Sequence, residues 1–430
     1  MDAFSLKVIT AAVFILVYLL IVLYYRLKAW IIWGGVAAML LIGAVTLRTA
    51  FSSINWDVIG IYVGMLFIAE ALVISKVPDY LAIWVTNKSS KVWSAMLLVC
   101  MFTGILSIVV ENVACVLIVA PIIFSIAKRI KVSPIPMIIG AAVSSNLQGV
   151  ATLIGDPPSM LLASHAKLTF NDFFFFQGKL GLFFAVQIGM IASLFVLYFF
   201  FRKYSHHVGD FKEAKVKSLF PALMLLSMIV ALAVASFFNG GRFRYSSGAV
   251  CLIFGAICLV WIIRRLRKAK QSVYATLKDM DWITALFILA IFIVVDSLTQ
   301  TGIIKDLALL IYSITGSSVF FAFVLIVIIS VFLSAFVDNV PYIVAMLPVT
   351  QIVAEQAAVS PYVLYFGLLI GASVGGNITP IGASANIVGV GLLNKKGYHT
   401  SFWDFVKIGL PFTLISVAAS AAFVWLMYGF

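Results

Sequence analysis

Charge is what this chain has least of. Asp, Glu, Lys and Arg make up 10% of its 430 residues, 63% are apolar, and mean hydropathy is +1.15. A soluble globular chain carries about 25% charged and roughly 45–50% apolar residues. The shortage excludes a soluble fold and leaves an all-α polytopic bundle in a lipid bilayer, with no polar stretch long enough for an extramembrane domain. Cysteine is scarce too. Cys100, Cys115, Cys251 and Cys258 all lie inside apolar runs, which excludes a disulfide framework and a zinc-ligand spacing. No nucleophile, base and oxyanion set is visible, and no phosphate-binding loop, so neither an enzyme nor an ATP-driven pump is expected. The net charge of +13 marks the cytoplasmic loops of a membrane protein rather than a nucleic-acid partner.

What the chain does have is a run of apolar segments near the roughly 20 residues that a spanning helix needs. The first, 8–25, has no small-residue cleavage site behind it and reads as a helix rather than a signal peptide. Sliding the sequence by 227 residues superposes Ser107–Met160 on Ser334–Ile387 without a gap, with 14 of 54 positions identical. The coincidences fall mainly on Asn, Pro, Gly and Ser, among them Asn112/Asn339, Pro121/Pro348, Gly149/Gly376, Thr152/Thr379 and Gly155/Gly382. Two unrelated apolar helices would match leucines and valines instead, so the chain is a duplication. With a one-residue shift Trp56 falls on Trp282 and Glu70 on Asp296. More loosely, Asp172-Phe173 falls on Asp404-Phe405.

Residues 1–205 and 218–430 are therefore two transmembrane units, joined by a cytoplasmic linker at 206–217. The first has apolar runs at 8–25, 29–47, 56–74, 92–127, 134–164 and 180–201, the second at 218–238, 246–263, 282–299, 317–354, 361–393 and 405–428. The paired runs 92–127 and 317–354 are expected to be re-entrant hairpins, which place Glu111-Asn112 and Asp338-Asn339 in a protected cavity where broken backbone is tolerated. Each unit then crosses the membrane five times and the copies are inverted, the plan of secondary transporters. Threaded this way, 22 of the 29 Lys and Arg, Arg26 and Lys28 among them, fall on one face and seven on the other. By the positive-inside rule the rich face is cytoplasmic and both termini are outside, in the cell's inner or plasma membrane.

Five carboxylates lie within or at breaks in the apolar runs: Glu70, Glu111, Asp156, Asp296 and Asp338. A charge at mid-bilayer costs at least about 2.5 kcal/mol, and no Lys, Arg or His is expected beside them. Unpaired acids in a cavity suit H+ or Na+, the only cofactor-like species expected, and no other metal is. Capping of the second hairpin arm is the alternative role for Glu111 and Asp338, and a tie to neighbouring backbone that for Glu70 and Asp296. Asp156 stands alone, with Ala383 at its counterpart.

The second constellation is an interrupted helix, Thr152 to Ser159 in one copy and Thr379 to Asn386 in the other. Gly155, Gly382 and the prolines unwind a helix so that carbonyls and a fresh helix N-terminus face the cavity. Asn146, Gln148, Thr152 and Ser159, and in the second copy Asn377, Thr379, Ser384 and Asn386, supply neutral ligands, beside Asn112 and Asn339 at the tips. A simple kink is the structural alternative. Cys115, three residues past Asn112, is a packing residue more readily than a captor of trivalent arsenic.

Through Glu111-Asn112-Val113, Ile154 to Ser159, Ser334 to Tyr342 and Gly375 to Asn386, the chain resembles the ion transporter superfamily. Within it, the resemblance is to the group of ArsB arsenite permeases, NhaD sodium/proton antiporters and the P protein, whose domain is citrate-transporter-like. It covers about three quarters of the chain. It implies hairpins and broken helices forming a mobile transport body, cation sites beside the tips, elevator-like alternating access and often a homodimer. The carboxylate-transporting branch resembles Ser-Asn-Thr at its tips, whereas acids stand here. That favours ion-coupled (H+ or Na+) movement of a small oxyacid or anion such as arsenite. A sodium/proton antiporter, a carboxylate transporter and an anion channel are the alternatives.

Overall fold

The structure, a computed structural model, describes residues 3–24, 27–130, 132–205, 215–237 and 246–430. Residues 25, 26 and 131, and 206–214 of the expected linker, lie outside the described residues, as do 238–245. Helix dominates, because a backbone in lipid must satisfy its own hydrogen bonds. The first unit comprises α1 (Ala3–Leu23), α2 (Lys28–Leu41), α3 (Leu47–Ser53), α4 (Trp56–Ser75), α5 (Val77–Asn87), α6 (Val92–Ser107), α7 (Asn112–Ile130), α8 (Ile135–Gly149), α9 (Pro157–Ala166) and α10 (Leu182–Phe201). The second comprises α11 (Phe220–Phe237), α12 (Ser247–Lys268), α13 (Val273–Lys278), α14 (Trp282–Gln300), α15 (Ile303–Thr315), α16 (Val319–Ser334), α17 (Asn339–Gln356), α18 (Tyr362–Gly375), α19 (Ser384–Lys395) and α20 (Phe402–Tyr428). Among the described residues seven helices are long and apolar enough to cross a bilayer.

The expected run 29–47 is not one helix. α2 ends at Leu41, Gly43 turns the chain at φ 76°, and Thr46 starts α3 by accepting from the Thr49 amide at 3.2 Å. The short helices α3, α5, α13 and α15 fall between or at the ends of the expected runs.

The duplication recurs in the caps. Asn55 accepts from the Val58 amide at 3.3 Å to start α4, and Asp281 from Thr284 at 3.1 Å to start α14. Asp172 accepts from the Thr169 amide at 2.6 Å, and Asp404 from Ser401 at 3.0 Å. Packing is reciprocal as well. α2 lies on α14 and α12 on α4, α7 on α19 and α17 on α9, α6 on α8 and α16 on α18. The α4/α12 contact is backbone to backbone: a Cβ on Gly60 would sit 2.9 Å from the Gly248 Cα, and one on Gly255 2.7 Å from the Gly64 Cα. Small residues permit such close approach where lipid supplies no hydrophobic drive between helices.

The counterparts α10 and α20 pack on each other and run antiparallel. Ser420 donates to the Ala185 carbonyl at 2.9 Å, and farther on Tyr428 donates to Leu180 at 3.0 Å. Equivalent helices meeting head to tail is the packing that an inverted repeat requires. α4 and α14 are mostly buried, whereas α1 and α11 keep most of their residues on the outside.

Candidate transport site

Each hairpin tip is wedged into the break of its own unit's interrupted helix. The breaks, 150–156 and 376–383, fall about halfway along the α8–α9 and α18–α19 runs. Thr152 Oγ1 donates to the Ile108 carbonyl and Thr379 Oγ1 to that of Ala335, the same bond after a shift of 227 residues. A Cβ on Gly382 would lie 2.6 Å from the Gly376 carbonyl and 2.8 Å from that of Ala335. One on Gly155 would strike the corresponding carbonyl of Gly149. Both glycines are thus required by a close approach of tip and break. α6 with α7 and α16 with α17 form helical hairpins whose tips reach only the middle of the broken helices.

Several expected neutral ligands turn out to hold this framework. Asn146 Nδ2 donates to Asn377 Oδ1 at 2.8 Å and to Asn386 Oδ1 at 3.0 Å, joining the two broken helices. Asn377 donates in turn to the Val143 carbonyl at 3.0 Å, and Asn386 to those of Gly376 and Thr379 at 2.9 and 3.0 Å. Ser107 Oγ lies 2.5 Å from Asn112 Oδ1 and receives a bond from Ser145 at 2.9 Å. Cys115 is buried and donates to the Val110 carbonyl at 3.3 Å, a packing contact. Asn112, Asn146, Asn339 and Ser384 also line a central cavity of about 30 Å³ between the two tips, together with Glu111, Asp338 and Lys28. That is room for a bare ion or a water, not for an organic anion.

The tip acids differ sharply in their surroundings. Glu111 caps α7 through the Ala114 amide at 3.0 Å and is only half-buried. It lines both the central cavity and a vestibule of about 220 Å³ whose other walls include Glu70, Lys76, Asp79, Asp279 and Asp281. Asp338 is buried, caps α17 through the Val340 amide at 3.2 Å, and pairs with Lys28 Nζ at 3.2 Å. The expectation that no basic residue accompanies the acids is therefore wrong. Lys28 opens α2 and turns inward instead of joining the basic loop, because a buried carboxylate needs a partner. His165, half-buried near the end of α9, is a second exception.

Asp156 caps α9, its Oδ1 accepting from the Ser159 amide at 3.0 Å and the Ser159 hydroxyl at 2.7 Å. Its Oδ2 is buried and makes no close hydrogen bond among the described residues, the Asn112 side chain being its polar neighbour. Ala383, at the corresponding place, caps nothing through its side chain. Asp296 accepts from Gln300 at 2.6 Å and lines a second vestibule, about 270 Å³, with Asn55, His165 and Pro348. The two vestibules are counterparts, Glu70 and Pro121 in one answering Asp296 and Pro348 in the other. They flank opposite ends of α4, but the second stops short of Asp338. Another cavity, about 300 Å³, lies away from both tips beside Asp57, which anchors the start of α12 through the Gly248 amide at 2.8 Å. Sequence reasoning missed Lys28, Asp279 and Asp281. Only the alignment of Asp281 with the capping Asn55 hinted at any of them.

Residues 18–308 and 244–430 match the citrate transporter family. An uncharacterized transporter of Mycobacterium bovis is 31% identical over 436 residues, which cover 98% of this chain and 99% of that protein. An uncharacterized transporter of Synechocystis sp. is 27% identical, with 92% of both chains covered. The P protein of Mus musculus is 24% identical across 89% of this chain and 56% of its own longer one. The YdaH transporter of Alcanivorax borkumensis shares the fold, with a TM-score of 0.57 at 15% identity over 91% of this chain and 88% of that one. Hairpins wedged into broken helices thus sit in a chain that aligns end to end with transporters, and this protein belongs to the citrate transporter family as an integral membrane transporter rather than an enzyme.

Proposed function

We propose that the protein is an ion-coupled secondary transporter whose coupling cation, H+ or Na+, binds at the first hairpin tip, between Glu111 and Oδ2 of Asp156. The observation that carries this reading is Glu111 itself, which lies between an acid-lined vestibule and the central cavity beside a helix break holding that buried oxygen. A desolvated carboxylate oxygen with no close hydrogen bond suits a cation far better than it suits an anion. With the basic loops cytoplasmic, the Glu111 vestibule faces the cytoplasm, both termini face outward, and the chain stands open to the inside. Exchange of conformations between the inverted halves would close it and open the Asp296 vestibule instead, an elevator-like alternation.

The cargo is a small oxyacid or anion such as arsenite, admitted once the cation has offset the tip acids, with a carboxylate such as citrate as the alternative. A central cavity of about 30 Å³ favours a second reading, a sodium/proton antiporter that carries no further solute. Proteoliposomes with imposed sodium or proton gradients separate the two. Labelled arsenite or citrate accumulating only with the gradient supports cotransport or exchange. Sodium moving against protons without other solute supports the antiporter. Gradient-independent currents far above carrier turnover would refute both in favour of a channel.

A further inference from the structure

The two tips carry equivalent acids but meet opposite fates. Lys28 Nζ lies 3.2 Å from Asp338 Oδ2, 3.5 Å from Ser384 Oγ and 5.1 Å from the centre of the Phe287 ring. The lysine and aspartate side chains are 6% and 4% exposed, so water screens the pair little. A carboxylate from the hairpin tip, a hydroxyl from the start of the broken helix's second arm and an aromatic face from α14 form a cation's coordination shell. An ammonium on a four-carbon tether fills it. Tyr18 also lines a small cavity with Asp338, and Glu111 shares the central cavity, so among the described residues lining these cavities the groups that face the ammonium are acidic or neutral.

Nothing of the kind happens at Glu111. Among the described residues no ammonium pairs with it: Lys28, which shares its central cavity, is engaged with Asp338, and the vestibule's lysine, Lys76, with Asp79 at 3.2 Å. From this inequality we infer that Lys28 is a resident cation, holding at the second tip the place that a diffusible coupling cation takes at the first, so that one coupling cation binds per chain instead of two. The inference rests on the cation-coupled reading above. It also makes Lys28 a latch. α2 packs on α1 and α14, whereas Asp338 and Ser384 belong to the second hairpin and broken helix, so the pair joins those two bodies and must part if one slides against the other.

The test uses the purified full-length chain, with sodium against choline and mildly acidic against mildly alkaline buffer as probes. Thermal unfolding and equilibrium binding of labelled sodium are the readouts. The wild type should respond along a single-site curve, with a Hill slope of about one. Lys28→Gln removes the ammonium from Asp338 and should add a second site for Na+ or H+, raising the cations bound per chain at saturation from about one to about two, as labelled sodium or as an added pH-dependent step in unfolding. Lys28→Gln combined with Asp338→Asn should abolish that added response. Lys28→Gln with the wild-type response to both sodium and pH would overturn the inference. So would two cations bound per wild-type chain, a measurement that stands even if Lys28→Gln fails to fold. A wild type without any cation response, beside a Lys28→Gln protein that gains one, would uphold the resident lysine and refute the coupling reading.

Discussion

Asn146 offers the sharpest test of how the two halves are held together. Its amide orientation is set by the backbone: Asn386 Nδ2 faces the carbonyls of Gly376 and Thr379, and Asn377 Nδ2 faces that of Val143, so both Oδ1 atoms point at Asn146. Carbonyls only accept, and Asn146 must therefore present its two donors, at 2.8 and 3.0 Å. Asn146→Leu keeps the number and branching of side-chain heavy atoms and removes both donors, leaving two acceptors in residues with 0% exposure. Orphaning a buried acceptor costs about 1–3 kcal/mol, whereas hydrogen bonds between membrane helices average about 0.6 kcal/mol, because the unfolded state finds other partners. Here both acceptors are fully buried between the two broken helices and Asn146 borders a cavity large enough for a single water at most, so the higher figure governs, and roughly 2–4 kcal/mol should be lost. Asn146→Asp should be worse, since a carboxylate would then face two carbonyl oxygens. Tryptophan-monitored unfolding in detergent should rank wild type above Asn146→Leu above Asn146→Asp. An Asn146→Asp protein as stable as wild type would refute the reasoning.

Glu111→Gln should leave folding intact, since the amide oxygen still caps α7, yet abolish transport driven by a sodium or proton gradient in proteoliposomes. Gradient-driven uptake equal to wild type would remove Glu111 from the coupling site. Gly64→Val places a Cβ inside the Cys251 backbone of α12 and should destabilise by about 1–3 kcal/mol or more, read as lost monodispersity in size-exclusion chromatography. Thr152→Val and Thr379→Val each remove one tether between tip and break and should each cost about 1 kcal/mol. Because the two bonds are counterparts, comparable losses in melting temperature are expected, and a loss in only one would contradict their equivalence.

Residues that bond backbone or admit close approach cannot drift, which is why the duplication survives at Asn112/Asn339, Thr152/Thr379 and Gly155/Gly382 while the apolar positions around them have diverged. The same constraint made the hairpins and broken helices legible. α5, α13 and α15 were not, because a short helix beside a membrane has neither the length of a span nor the polarity of a loop. Lys28 was illegible for a different reason. A lysine two residues from Arg26 at the edge of an apolar run reads as a loop residue, and only a contact spanning 310 residues of sequence separation turns it into the partner of Asp338. Likewise Asn377 and Asn386 read as solute ligands because polarity in an apolar helix signals a site. Their donors are spent on carbonyls and their acceptors on Asn146, so in this conformation they are joints.

The likenesses and differences between the halves sort by task. Where the units match, in the Thr152 and Thr379 tethers and the Gly155 and Gly382 contacts, the atoms fasten a tip to a break, a mechanical need that both must meet. Where they differ, charge is involved each time. Asp156 answers to Ala383, a tip acid at a vestibule answers to one sealed by a lysine, and a vestibule that reaches its tip answers to one that stops short. Two equal cation sites would need none of these differences. If they served only stability, the buried Lys28–Asp338 pair would be a poor choice, since an apolar pair of similar volume is often as stable or more so. On the one-cation reading proposed above, the pair keeps one tip neutral with no ion bound and leaves the other to take the coupling cation.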